Sequence, residues 1–187
     1  MVETLHALTA LGHTAPQTVQ IGPYRITERF DVALASVATR MGRDADVIAA
    51  AAAALLPLPP PARATEGAPI SAFWIAPEMW MLEAPFATHE DFTAHLKPIF
   101  AEAASITEQT DAWVRFDVQA TALQPLIERL CNVDFRQAPV GFASRTVIEH
   151  TGCYLIRCAV DTVTLYAPRS SARSLLHALS VAATSVI

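Results

Sequence analysis

The side chains best equipped for chemistry are six histidines and three cysteines, and their spacing limits what they can do. His6 and His13 lie in a stretch without regular period, too loosely placed to argue a metal site. His89 and His95 fall on one expected helix. Six residues correspond to about 600° of rotation, so the two rings should not share a face. His150 sits at a strand end beside Thr151-Gly152, where an imidazole can act as a base or orient a ligand, although a solvated surface histidine is the simpler reading. His177 is expected at the packed edge of the last helix. Cys131 ends a helix just before Asn132, where a thiol meets the negative end of the helix dipole and makes a poor nucleophile. Cys153 and Cys158 are five apart on one expected strand, and odd spacing sends them to opposite faces, so they are not partners. With no CxxC spacing, and one cysteine left over from any single disulfide, the thiols read as reduced.

Arg115 and Asp117 stand two apart on a strand and share a face, which reads as an ion pair at the solvent edge rather than a substrate clamp. Arg169 and Arg173 open the last helix and offer guanidinium groups to a carboxylate of a partner or substrate, a solvated face being the plainer reading. Trp74 and Trp80 flank a hairpin turn and Trp113 opens a later strand, placing them as core or interface anchors before an aromatic cage. The sequence holds no GxGxxG, GxxxxGK[ST], HExxH or GxSxG. With only 6 glycines, a loop that wraps phosphates closely is not expected. No residue is singled out as catalytic, cofactor-binding or metal-ligating.

The elements that would position these groups follow from periodicity. Residues 1–18 form an arm of weak intrinsic structure that either frays or wraps a neighbour. Val19 to Ile26 is a β candidate interrupted by Gly22-Pro23, and Phe30 to Thr39 alternates as a strand. Asp44 or Asp46 caps a helix over the alanine-rich Val47–Leu56, which Pro57 ends. Pro57 to Pro69 is a stiff connection. Ile70–Ile75 and Met79–Glu83 form a hairpin about Ala76-Pro77-Glu78. Thr88, with Asp91, caps a helix running to about Ala104 and carrying Phe92, Leu96, Ile99 and Phe100 on one face, with Pro98 inside it. The order then repeats. Ala112–Val118 is a strand and Thr121–Leu130 a helix capped by Thr121, with Pro125 in its first turn. Three strands follow at Phe142–Glu149, Cys153–Cys158 and Thr162–Tyr166, with turns at Thr151-Gly152 and Val160-Asp161. A helix capped by Ser170 or Ser171 runs to about Ala183. The expectation is one α+β domain over 19–187 built from two βαββα-type halves, about 19–104 and 111–187, with helices on one face of antiparallel sheets.

Composition sets outer bounds. A chain of 187 residues can bury a substantial core, roughly 70% of its unfolded surface. Hydrophobic residues make up 52% and charged residues 17%, a charge-poor surface that points to an obligate interface. A net charge of −5 without any Lys/Arg cluster argues against nucleic acid as a partner. The longest smooth apolar run, Val47–Leu58, is too short to span a bilayer, and no basic leader opens the chain. The expected location is cytoplasmic.

Four segments share a pattern with a known family. WIAPEMWMLEAP (Trp74–Pro85), DAWVRFDVQATALQPLIERLCNVDF (Asp111–Phe135), PVGFASRTVIEH (Pro139–His150) and APRSSARSLLHAL (Ala167–Leu179) together resemble the gamma subunit of heterotetrameric sarcosine oxidase. The likeness covers about Ile70–Leu179 in order, while the first sixty residues match only in layout. It departs at Ala76, where the family usually has glycine. The resemblance implies a fold of the aminomethyltransferase type. It also implies a complex that demethylates sarcosine oxidatively to glycine, yields hydrogen peroxide and passes the one-carbon unit to tetrahydrofolate. In such a complex the flavins, NAD, zinc and tetrahydrofolate belong to the alpha, beta and delta subunits, and the gamma chain carries none. Related complexes act on other N-methyl amino acids, as N-methylglutamate dehydrogenase does. A rival is a free-standing folate-binding aminomethyltransferase-like protein with Glu149 or Asp134 poised toward the pterin, and a third is a small regulatory module.

Overall fold

Alternation of apolar and polar residues along the strands builds the architecture, described in a computed structural model over residues 6–187. The order is β1 (Thr18–Ile21), β2 (Tyr24–Arg29), β3 (Val32–Thr39), α1 (Asp44–Ala53), β4 (Ala64–Thr65), β5 (Ser71–Ala76), β6 (Met79–Pro85), α2 (Phe92–Phe100) and β7 (Ala104–Glu108). It continues with β8 (Trp113–Gln119), α3 (Gln124–Leu130), β9 (Ala143–Ile148), β10 (Thr151–Arg157), β11 (Thr162–Pro168) and α4 (Ala172–Ser185). The strands form two antiparallel sheets, β1-β2-β8-β11-β10-β9 and β4-β5-β6-β3-β7.

In β8, Val114, Phe116 and Val118 point to a core shared with α3 and α4, as do Val163, Leu165 and Ala167 of β11. In β6, Trp80, Leu82 and Ala84 point to a second core beneath α1 and α2. The opposite faces supply a third cluster from both sheets, with Leu34, Phe73 and Met81 against Tyr154, Ile156 and Tyr166. The molecule is therefore layered helix, sheet, sheet, helix. Each fully buried Leu, Ile or Phe contributes about 1.5–3 kcal/mol.

The α+β class and the repeated strand–helix–strands–helix order are present, but the division near residues 104–111 is not the one expected. Residues 18–29 form a hairpin about Gly22-Pro23, and β2 pairs with β8, placing Thr27 opposite Asp117. Tyr24 and Ile26 belong to the core under α3 and α4, so burial takes this hairpin into the sheet of the second half. Strand β7 lies where the sequence suggested only a connection: the chain reverses at Ala101 (φ 44°) and pairs beside β3.

Several helix and turn boundaries also move. Asp44 and Asp46 lie inside the first turn of α1, whose N-cap is Arg43; there they face the positive end of the helix rather than cap it. Helix α2 is capped by Asp91, whose carboxylate accepts from the Ala94 amide at 3.0 Å, and Thr88 closes a separate 3-10 turn. Helix α3 begins after Leu123, not Thr121. The β9–β10 turn is Glu149-His150, both at positive φ (42° and 68°), whereas Thr151 and Gly152 are in the strand. At the β5–β6 turn the positive φ falls on Glu78 (58°), and Ala76 pairs within the ladder, so the glycine-to-alanine departure is accommodated without left-handed backbone at that position.

Candidate functional site

Between the two sheets the alternate, non-core positions carry charge. On β8, Arg115 and Asp117 face this layer; across the ladder they oppose Tyr166 and Thr164 of β11, and on the other side Arg29 and Thr27 of β2. Glu83 of β6 enters from the other sheet. The Arg115 guanidinium donates to Asp117 through Nε (2.9 Å) and Nη2 (3.1 Å) and through Nη1 to Glu83, joining the sheets. Asp117 also accepts from Arg29 (3.1 Å) and Thr164 (2.7 Å), and the Tyr166 hydroxyl donates to the second oxygen of Glu83. The Cys158 thiol donates to Thr164 Oγ1 at 3.3 Å.

Only 14% of the Arg115 side chain and 13% of that of Asp117 is exposed, so this pair is interior rather than at a solvent edge as its spacing suggested. The strand periodicity placed both on one face, but the second sheet that covers that face has no local signature. Burial works against the Arg115 charge; Tyr166, Glu83 and Asp117 around it prevail and hold the guanidinium above its ordinary value. Burial, reinforced by Glu83, pushes the Tyr166 phenol well up. At the outer end of the network Asp31 binds Arg29 at 2.7 Å, which raises Arg29 and lowers Asp31.

Beside this network lies an open cavity of about 440 Å³, within the range of small-molecule sites. Glu83, Arg115, Thr164 and Tyr166 line it on the side of the network; Phe73 and Ile156 give apolar walls; Thr65 and Val140, both exposed, also line it. Gly141 lets the walls meet: it adopts φ +79°, and a Cβ there would come within 3.2 Å of the Ala64 carbonyl. The Gly141 carbonyl accepts from the Ala64 amide at 2.7 Å, tying the two sheets at the cavity edge. Asp117 already accepts four hydrogen bonds, the Tyr166 proton is held by Glu83, and burial raises the Cys158 thiol, which weakens it as a nucleophile.

The residues singled out from sequence are not gathered here, apart from Arg115, Asp117 and Cys158. Asp134 and Glu149, the carboxylates considered for a pterin, are both exposed and do not line the cavity. His150 is exposed in its turn. Cys153 is buried in the helix-side core, while Cys158 packs in the layer between the sheets, on opposite faces as the odd spacing requires. Burial raises the Cys153 thiol to about 11. Trp80 donates its Nε1 to the Pro59 carbonyl at 2.8 Å, and Trp74, opposite it in the ladder, packs on the same core; Trp113 lies tilted against Tyr154 instead, so no cage forms. His89 and His95 do meet, ring centroids 5.1 Å apart, because His89 precedes α2 rather than lying on it. His177 is exposed beside His13 in a groove under the arm, not at a packed edge. Arg169 and Arg173 donate to the carbonyls of Leu8 (2.7 Å) and Leu11 (3.4 Å), and Glu28 accepts the amides of Leu11 and Gln17. These contacts dock the described part of the arm on its own chain; residues 1–5 of it lie outside the described residues. Among the described residues no three His, Cys, Asp or Glu side chains cluster as metal ligands, and no helix is long and apolar enough to cross a membrane.

No family model matches the sequence, and no curated protein matches it. Solved structures do. A chain of heterotetrameric sarcosine oxidase from Corynebacterium sp. U-96, in complex with pyrrole 2-carboxylate, superposes with a TM-score of 0.76 at 15% identity over 90% of this chain and 87% of its own. The glycine cleavage system aminomethyltransferase T from Bartonella henselae superposes with a TM-score of 0.59 at 12% identity over 81% of this chain and 44% of its own. The fold is thus similar to that of a chain of heterotetrameric sarcosine oxidase and to part of the aminomethyltransferase.

Proposed function

We propose that this chain is a cofactor-free, gamma-type subunit of a complex like heterotetrameric sarcosine oxidase. There it supports oxidative demethylation of sarcosine to glycine, with hydrogen peroxide formed and the one-carbon unit passed to tetrahydrofolate. The observation that carries this reading is the near-equal coverage of the sarcosine oxidase match, 90% of one chain and 87% of the other. Similar coverage means similar length, which supports correspondence with one whole subunit, whereas the transferase match spans under half of that protein. The surface supports the same reading. Met41 is fully exposed, Leu55 is 90% exposed, and with Ile48 they mark an apolar edge around α1 whose remaining exposed positions are largely alanine. The flavins, NAD, zinc and tetrahydrofolate belong, in this proposal, to alpha, beta and delta subunits in the cytoplasm. The preferred N-methyl amino acid is open to the same assembly logic, so an N-methylglutamate dehydrogenase-type complex is the nearest variant.

Purification of the tagged chain from its native host tests the proposal. Co-elution of a flavin-coloured assembly with three other polypeptides, oxidising an N-methyl amino acid, is the expected result. Elution as a colourless monomer, or amine oxidation by the chain alone, would overturn it.

A further inference from the structure

The layer between the sheets carries more negative than positive charge. Two guanidinium groups, Arg29 and Arg115, are paired with three carboxylates, Asp31, Asp117 and Glu83, which leaves a surplus of one negative charge. Burial opposes the Arg115 charge, yet Tyr166, Glu83 and Asp117 outweigh it, so the potential in this layer favours a cation. Arg157 does not redress the balance. Alternation along β10 sends Ile156 to the layer between the sheets and Arg157 to the helix side, where its guanidinium lies over the Phe135 ring, 4.4 Å from the centroid.

Within the network Asp117 is saturated, but Glu83 has acceptor capacity to spare. Its two oxygens take one hydrogen bond each, from Arg115 and from the Tyr166 hydroxyl, whereas a carboxylate can accept about four. Its side chain is 20% exposed and lines the cavity. Ser71 stands directly opposite Glu83 in the β5–β6 ladder, so the two side chains share a face. The Ser71 Oγ accepts from the exposed Gly67 amide at 3.3 Å and keeps a second lone pair.

We propose that this cavity binds a small organic ammonium ion, its N–H groups donating to Glu83 and to the Ser71 hydroxyl and its apolar body lying against Phe73 and Ile156. Charge-assisted hydrogen bonds to a partly buried carboxylate supply the selectivity for a cation. Glu66, exposed, also lines the cavity and disfavours a ligand that carries a carboxylate of its own, so an amino acid is not the class received here. The volume of about 440 Å³ accommodates a fused bicyclic ring bearing one aminomethyl group.

The test is calorimetric titration of the full-length chain, in the assembly in which it purifies, with 2-naphthylmethylamine and with its uncharged counterpart 2-naphthylmethanol. The amine is expected to bind at least about tenfold more tightly than the alcohol. The Glu83→Gln variant should lose that preference. Because Glu83 also ties the two sheets together, a second variant is needed: Ser71→Phe leaves the ionic network in place, fills the space beside Glu83 and should weaken the amine at least about tenfold. This inference does not depend on the subunit reading above, since an amine held by another polypeptide of the assembly would be indifferent to both substitutions. Equal affinity for amine and alcohol, binding of neither, a preference that survives Glu83→Gln, or amine binding unchanged in Ser71→Phe would each overturn the proposal.

Discussion

Replacing Arg115 by Met tests whether the layer between the sheets is an interior ionic network. The substitution keeps an unbranched side chain of similar length and removes one charge. Asp117 retains Arg29 at 3.1 Å and Thr164 at 2.7 Å, so it remains compensated. Glu83 retains only the Tyr166 hydroxyl, so the penalty falls mainly on this carboxylate, whose side chain is 20% exposed. Breaking a buried pair by removing one member costs about 3–5 kcal/mol. Residual exposure and the surviving partners of Asp117 place Arg115→Met near the lower end, about 3 kcal/mol. For a domain of this size that corresponds to a fall in Tm of roughly 6–12 °C. Urea unfolding followed by circular dichroism measures it. Adding Glu83→Gln to Arg115→Met should recover about 1–2 kcal/mol, because the charge that lost its partner is removed as well. A loss below about 1 kcal/mol, or a double variant that costs the sum of the two singles, would refute an interior network.

Three further outcomes follow from the same structure. Burial raises the Cys153 thiol from 9.0 to about 11 and also raises Cys158, Tyr154 and Tyr166, so their contribution to stability is full below pH 9 and is lost as pH rises through the folded values. Urea midpoints should therefore fall between pH 9 and 11, less steeply in Cys153→Ala; a flat profile would contradict the burial of these groups. The Glu149-His150 turn holds two non-glycine residues at positive φ, so the pair Glu149→Asn, His150→Gly should stabilise the chain by about 1 kcal/mol, read as a higher urea midpoint with an unchanged slope. Glu28 is buried and accepts the amides of Leu11 (3.0 Å) and Gln17 (3.1 Å), so Glu28→Ala should speed hydrogen exchange at both amides while leaving β8–β11 protected; unchanged exchange would show that Arg169 and Arg173 hold the arm without it.

What the sequence discloses of this fold is local, and what it withholds is non-local. Strand β8 could be read because Val114, Phe116 and Val118 alternate with polar residues, and α4 because Leu175 and Leu179 recur one helical turn apart under a polar face. Strand β7 could not: its five residues follow Pro98 and a reversal at Ala101, and of them only Ile106 and Thr107 are β-branched, with no aromatic residue, too short a run to mark a strand. The partner of β2 could not be read either, because a hairpin edge carries no label for the strand that will pair with it.

The same limit governs the site. Periodicity put Arg115 and Asp117 on one face, but whether that face meets water or a second sheet depends on Glu83, 32 residues earlier, reaching across from β6. One signal was available and would have served. The outward positions of β11 and β8 are Thr164, Tyr166, Arg115 and Asp117, unusually bulky and mutually complementary for a solvated face, and Phe73 and Met81 sit at the equivalent positions of β5 and β6. Two antiparallel sheets that each carry large side chains on the face away from their helices have only each other to bury them against. That pairing turns an apparent surface ion pair into an interior one and sets Arg115 in the wall of the cavity between the sheets.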